Sequence, residues 1–416
     1  MKQNQINRRH FLKKASLGSL ASMGITGLIP SETVSAVGDA EPMKITKIEA
    51  VRVKKYNWTW VLLSTNTGIV GIGETYPLAN TQIGALKDFS RMLIGRDPRE
   101  IERIWKDMYS RASFYVTGGA EMRIISAVNI ALWDILGKAL GVPVYKLLGG
   151  KAQEKLRVYD TYHGINNMKL EEDVEKITRF LLDRGIKAIK LFHYNSLKNE
   201  NKGSYISPVD IEKHLGLIKR IRKEAGYEME IGMEFNGGWN LPCALRIAES
   251  LEPYRIMFIE DILFPDNMQA YSVLARETSI PICISERLAT RYQFREMLES
   301  KACDIVMWDV TWCGGISEAK KISDMADTYY IPTIPHTNGG PVLWLSSIHT
   351  ATALTNFFIM ESCYPNYHSR YPDYVKNFPV PENGFVTAPE EPGLGIEFRK
   401  EPFENGDAIV ETIAEI

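Results

Sequence analysis

From residue 45 to 53 apolar and polar side chains alternate, and the alternation returns over 58–64 and in IVGIGET, residues 69–75. A period of two belongs to a strand with one buried face, and TNTG supplies a turn between the second and third runs. The three runs predict an antiparallel meander. The period then lengthens. Residues 83–93, 98–109 and 120–140 carry apolar positions at helical spacing, and Gly141-Val142-Pro143 stops the last run. Residues 43–155 are therefore expected to form an α+β unit.

From about residue 156 the pattern changes again. Short β-branched runs at 186–192, 230–235, 256–262, 282–286, 305–308, 331–334 and 357–361 alternate with helical stretches such as 208–225, 242–251 and 316–329. Repeated strand–helix units build a parallel sheet, and this many close it into a barrel. The expected fold class is α/β, a TIM-like barrel over 156–375 with the α+β unit as its cap. The Pro- and Gly-rich tail, 376–416, is expected to pack back on that cap.

Composition narrows the function. Of 416 residues, 45% are hydrophobic and 24% charged, the mixture of a soluble globular protein with a sizeable core. A formal net charge of −2 gives no general attraction to nucleic acid or to an anionic membrane. Cys243, Cys283, Cys303, Cys313 and Cys363 form no CxxC pair and lie in or beside apolar runs. They read as buried thiols rather than a disulfide frame or a zinc site.

The first 36 residues stand apart. Arg8-Arg9 precede Phe11-Leu12-Lys13, a weakly apolar run rich in Gly and Ser follows, and Thr33-Val34-Ser35-Ala36 offers small residues to a peptidase. The pattern resembles a twin-arginine export signal cleaved after Ala36. The run is too short and too polar for a membrane span, which needs about 20 apolar residues. The mature protein is expected in the periplasm, without a stable membrane anchor, as a homo-oligomer.

Candidate chemistry begins with MFIEDILFP, where Glu260 and Asp261 interrupt an apolar run. A carboxylate beside a hydrophobic core is costly unless something compensates it. Glu234 ends the preceding strand run, and Glu286 ends the next. Each lies 26 residues from Glu260, the length of one strand–helix unit. The three glutamates thus occupy equivalent places on successive strands, at the barrel rim where such enzymes keep their chemistry. Converging carboxylates repel, and a hard divalent cation, Mg²⁺, resolves the repulsion. Around the same rim come Asp309, His336 and Glu361, each at the end of a strand run. An Asp–His pair fixes an imidazole and raises its basicity. Lys190 lies inside GIKAIKLFHY, and strand alternation turns it away from the side taken by Lys187.

These motifs resemble the enolase superfamily, in particular its mandelate racemase/muconate lactonizing enzyme-like group. The resemblance covers nearly all of the mature chain, through TNTGIVGIGET, GGAEMRIISAVNIALWDILGKALGVPVYKLLGG, MFIED, ISERLAT, DVTWCGGISEAKKI and IPH. It implies a modified (β/α)₇β barrel with an α+β cap. It implies Mg²⁺ on Glu234, Glu260 and Glu286, and an Asp309–His336 dyad. Glu361 matches a strand-eight acid near the substrate, and Lys190 the first strand-two lysine. In the implied chemistry a substrate carboxylate meets Mg²⁺, His336 takes the α-proton, and the metal stabilises the enediolate.

Two departures select among reactions. Racemases of the group carry Lys-x-Lys on the second strand, where this chain has Lys190-Leu191-Phe192. Acid-sugar dehydratases often carry Asp-x-His on the third strand, where this chain has Glu234-Phe235-Asn236. Without a base at Phe192, an acid-sugar dehydratase giving a 2-keto-3-deoxy acid is favoured over a racemase, epimerase or cycloisomerase. Asn236, His193, Tyr194, Trp60 and Tyr76 are the candidate substrate contacts, with His193, Tyr194 or His336 itself returning a proton to the leaving hydroxyl. Capping or packing is the other reading of His193, Tyr194, Trp60 and Tyr76. Two other classes remain open at this level. One is a barrel glycosidase, which needs neither a third glutamate nor the dyad. The other is a catalytically silent sugar-acid binding protein.

Overall fold

The computed structural model describes residues 42–77, 79–112 and 118–416, and the export-signal reading of residues 1–36 lies outside them. The alternating runs are strands β1 (Ile45–Val53), β2 (Trp58–Thr65) and β3 (Val70–Thr75), paired antiparallel. Helix Gly119–Leu140 packs across β3. Two glycines of GIGET permit the approach. A Cβ on Gly71 would collide with the carbonyl oxygen of Ala131, and one on Gly73 with that of Ala127. The helix ends on Gly141, whose φ of 67° suits the left-handed cap that glycine adopts without strain.

Eight strands follow: β4 (Leu156–Thr161), β5 (Ala188–Leu191), β6 (Glu230–Glu234), β7 (Phe258–Glu260), β8 (Ile282–Ile284), β9 (Ile305–Trp308), β10 (Thr333–Pro335) and β11 (Met360–Ser362). They pair in parallel in chain order from β4 to β10, while β11 returns to lie beside β4. A parallel bridge between Thr333 and Phe357 spans the remaining gap. Helices occupy each of the seven crossovers, so the fold is a (β/α)₇β barrel. Local signals set their starts. Ser207 and Asp210 form a reciprocal cap on Pro208–Ala225, and the Asn240 side chain caps Leu241–Leu251. Short β12 (Phe385–Val386) pairs with β4, and β13 (Ala408–Glu415) pairs with β1, giving the N-terminal sheet the order β13-β1-β2-β3.

The barrel interior is layered. Tyr159, Ala188, Phe258, Met307, Ile334 and Ile359 form an apolar plug. Two residues further along the same strands stand Thr161, Lys190, Glu260, Asp309, His336 and Glu361. Because alternate residues share a face, each polar group sits one pleat above an apolar one. The plug excludes water from beneath the polar layer, which raises the strength of every charge interaction in it. Among the described residues no helix is long and apolar enough to cross a membrane, and all five cysteines are buried and unpaired.

One buried acid joins the N-terminal sheet to the barrel. Glu74 on β3 accepts hydrogen bonds from the backbone N–H of Gly340 (2.7 Å) and Val342 (3.1 Å) and from Trp60 Nε1 (3.0 Å). It thereby caps helix Pro341–Thr352, which begins just beyond His336. Glu74→Ala would leave these buried donors without an acceptor. It is expected to destabilise the protein by about 2–4 kcal/mol. Equilibrium urea unfolding checks this, and a loss below about 0.5 kcal/mol would show that the clamp contributes little.

Candidate active site

The strand ends bring Glu234, Glu260 and Glu286 together, with one carboxylate oxygen of each within 4.8 Å of the others. All three are buried. Glu234 and Glu260 are direct register partners on β6 and β7, and Glu286 follows β8 by two residues. Lys190 Nζ donates to both oxygens of Glu260 at 2.9 Å and stands 3.0 Å from Glu361 Oε1 and 3.6 Å from Glu234 Oε2. Burial opposes its charge, but Glu260 and Glu361 outweigh that and raise it well above the ordinary lysine range. Lys187 bonds Glu228 at the surface, on the opposite side, as alternation requires.

Asp261, the second acid of MFIED, turns away from the triad. Its Oδ2 accepts from Ser285 Oγ at 2.7 Å and stands 3.3 Å from Arg287 Nε. Five buried carboxylates therefore face two permanent cations, Lys190 and Arg287, and outnumber them. Burial and Glu234 push the Glu260 carboxyl well above its ordinary range. Burial raises Glu286 as well, with Glu234 adding to it against the pull of His336. Glu286 Oε2 is buried without a hydrogen-bond partner. Such a donor set, all oxygen, converging and under-compensated, fits a divalent hard cation.

Across the mouth, His336 Nδ1 lies 2.8 Å from Asp309 Oδ2. Asp309 Oδ1 is held by the backbone N–H and hydroxyl of Thr311, at 2.7 and 2.6 Å. With Nδ1 engaged, His336 turns Nε2 inward, 3.8 Å from Glu361 Oε2. Burial disfavours charge on this imidazole. Glu361, Glu286 and Asp309 outweigh it and bring His336 up to about 9. Glu361 is fixed by the Thr161 hydroxyl and the Thr337 backbone N–H. Burial opposes its charge too, but Lys190 and His336 bring its carboxyl down to about 2.

The candidate substrate contacts divide. Tyr76, beyond the end of β3, reaches the dyad and donates to Asp309 Oδ2 at 2.7 Å. Asn236 is exposed at the rim, in a turn whose φ of 55° folds its backbone N–H onto the Glu234 carboxylate. Trp60, His193 and Tyr194 are not brought to the cluster, and their reading as substrate contacts is corrected. Trp60 is fully buried in the N-terminal unit, stacked on Phe398 at 4.3 Å with its indole N–H on Glu74. His193 follows the end of β5, and its Nε2 meets the carbonyl oxygen of His214 at 3.0 Å. Tyr194 comes after the strand has ended and stacks on the His214 ring at 4.6 Å, against helix Pro208–Ala225.

The sequence pattern flags Asp261 only as the neighbour of Glu260 and does not single out Thr161, Arg287 or Thr337; all four hold the polar layer in place. Thr161 and Thr337 were accessible in principle. Thr161 ends LRVYDT, the strand that opens the barrel, and Thr337 follows His336.

Comparisons place this geometry among known proteins. Residues 172–402 match the family described as enolase C-terminal domain-like. Residues 31–149 match the mandelate racemase / muconate lactonizing enzyme N-terminal domain. A D-galactonate dehydratase of Variovorax paradoxus is 33% identical over 367 residues, 86% of this chain and 93% of that protein. The D-galactonate dehydratase of Pectobacterium atrosepticum is 34% identical over the same shares. The crystal structure of an enolase of the mandelate racemase subgroup from Agrobacterium tumefaciens is 35% identical. It superposes with a TM-score of 0.83 over 90% of this chain and 100% of that one.

Proposed function

The chain belongs to the mandelate racemase/muconate lactonizing enzyme-like group of the enolase superfamily, and from that premise we propose that it is a Mg²⁺-dependent acid-sugar dehydratase. The product of such a hydro-lyase is a 2-keto-3-deoxy acid. The observation that carries the reading is a site with a base on one side only. His336 is oriented by Asp309 and faces the interior, while Lys190 is engaged by Glu260 and Glu361. Phe192 stands where a racemase of this group would hold its second base. The similarity to D-galactonate dehydratases supports the same choice.

Glu234, Glu260 and Glu286 would hold the cation, which when bound supplies positive charge to the substrate carboxylate as the α-proton leaves. The chain's own groups do the rest. His336 Nε2 accepts the proton from C2, and Asp309 stabilises the imidazolium that forms. Lys190 and the fixed dipoles around Glu361 are already oriented, so the charge that develops meets no reorganisation cost. The C3–O bond then breaks, and the proton on His336 is delivered to the departing hydroxyl, which leaves as water. The resulting enol takes a proton at C3 to become the ketone. A glycosidase would use two of the carboxylates and leave the Asp309–His336 pair without a role.

Incubating the purified protein with a library of sugar acids tests the proposal. At least one acid is expected to give a 2-keto-3-deoxy product, with activity lost in EDTA and restored by Mg²⁺. Epimerisation of a library member with no keto-deoxy product from any would overturn it. We also propose periplasmic export, on the strength of Arg8-Arg9 and the small-residue site at Ala36. Replacing both arginines with lysine is expected to leave the protein in the cytoplasm. Undiminished recovery from the periplasm would contradict that.

A further inference from the structure

We propose that His163 is a specificity-determining residue that holds the hydroxylated tail of the sugar acid, beyond the two reacting carbons. The inference rests on the dehydratase reading and extends it from the reacting centre to the rest of the substrate.

Thr161 closes β4, bonds Glu361 and is the register partner of Lys190. His163 lies two residues further on, past the end of β4, and its contacts rather than strand alternation set its place one level further out. Phe192 bears the same relation to Lys190, and Asn338 to His336. The structure brings these three second-level residues together. The His163 ring lies 4.9 Å from the Phe192 ring, tilted by 36°. Its Nε2 stands 2.9 Å from Asn338 Nδ2. His163 is exposed, unlike the residues beneath it, so this wall is open to what enters the mouth.

The other histidines of the described residues are committed elsewhere. His193 and His214 pack together against the helix layer. His349 is buried between the backbone of Tyr145 and that of Leu394, and His368 stacks on Tyr364. His163 alone among them joins His336 at the mouth. With the Asn338 amide donating to Nε2, the imidazole carries its proton on Nδ1, which is left to donate to a hydroxyl. Phe192 sets the ring plane. A polyol chain that leaves the metal site on this side would meet an aromatic face at Phe192, an N–H at His163 and an amide at Asn338. A site built to bond a hydroxyl discriminates against acids that lack it.

The test compares a six-carbon aldonate with a four-carbon aldonate of the same C2 and C3 configuration. His163→Phe keeps a ring against Phe192 and removes both nitrogens. It is expected to lower the six-carbon to four-carbon ratio of kcat/KM about tenfold, the worth of one hydrogen bond. His163→Gln, which keeps a donor, is expected to recover part of that ratio. A second arm needs no turnover. The six-carbon aldonate is titrated calorimetrically into the Mg²⁺-loaded His336→Asn protein, with and without His163→Phe. Affinity is expected to fall about tenfold while Mg²⁺ affinity stays the same. An unchanged ratio, an equal loss for both acids, or six-carbon binding that is absent or indifferent to the substitution would overturn the proposal. Failure of the wild-type protein to dehydrate any acid would instead overturn the reaction, and the titration would still decide the role of His163.

Discussion

His336→Asn is expected to slow exchange of the α-proton of a bound sugar acid with D₂O by roughly 10³-fold, within the range by which general bases contribute. Nε2 of His336 is the basic atom that faces the interior at the level of the carboxylate cluster, and Asp309 binds the other nitrogen at 2.8 Å. Asparagine fits the same space and can still meet Asp309, but it accepts no proton at working pH. Asp309→Asn is expected to cost less, roughly 10²-fold, because the imidazole keeps its place while losing the charge that stabilises its protonated form. Neither change touches the three glutamates, so Mg²⁺ binding should be unaffected. NMR of the substrate C2 proton in D₂O measures the exchange directly. Wild-type exchange in His336→Asn would place the base elsewhere, with Lys190 the next group to examine.

The second large effect concerns Glu260. Glu260→Gln removes one of three converging carboxylates and is expected to weaken Mg²⁺ binding by at least about 10²-fold, as measured by calorimetric titration. The fold should survive, since Lys190 keeps Glu361 at 3.0 Å. In chelator the variant is expected to melt at or above the wild-type temperature. Burial first, and then repulsion from Glu234, hold the Glu260 carboxyl above its ordinary range, and a neutral amide avoids both. Added Mg²⁺ should then reverse the order. A ligand at 100 times its Kd stabilises the native state by about 2.7 kcal/mol, and only the wild type would gain this. A variant that binds Mg²⁺ with wild-type affinity would remove Glu260 from the metal site.

The sequence carried the barrel because its inward residues obey a strict rule. An acid at the end of an apolar strand, repeated every 26 residues, is visible without coordinates, and so Glu234, Glu260 and Glu286 could be grouped. The same reasoning failed for β4. In LRVYDT, Arg157 and Asp160 break the apolar run, which hides β4 and with it Thr161 and His163. It also failed where strands end. His193 and Tyr194 follow Lys190 closely in the chain, but β5 stops at Leu191, and beyond that point alternation no longer fixes direction. Packing against His214 decides instead. Trp60 and Tyr76 show the limit from the other side. Both belong to the same meander, yet one is buried on Phe398 and the other reaches Asp309. That difference depends on how the cap meets the barrel, a relation between segments hundreds of residues apart.

The most direct test of the central claim is the fate of deuterium in the product. The protein is incubated with its sugar-acid substrate in D₂O, and the product is followed by NMR. Abstraction at C2, loss of the C3 hydroxyl and ketonisation predict a 2-keto-3-deoxy acid carrying one deuterium at C3. An acid with inverted configuration and deuterium at C2, formed without loss of water, would contradict the account. It would mean that a second base acts opposite His336.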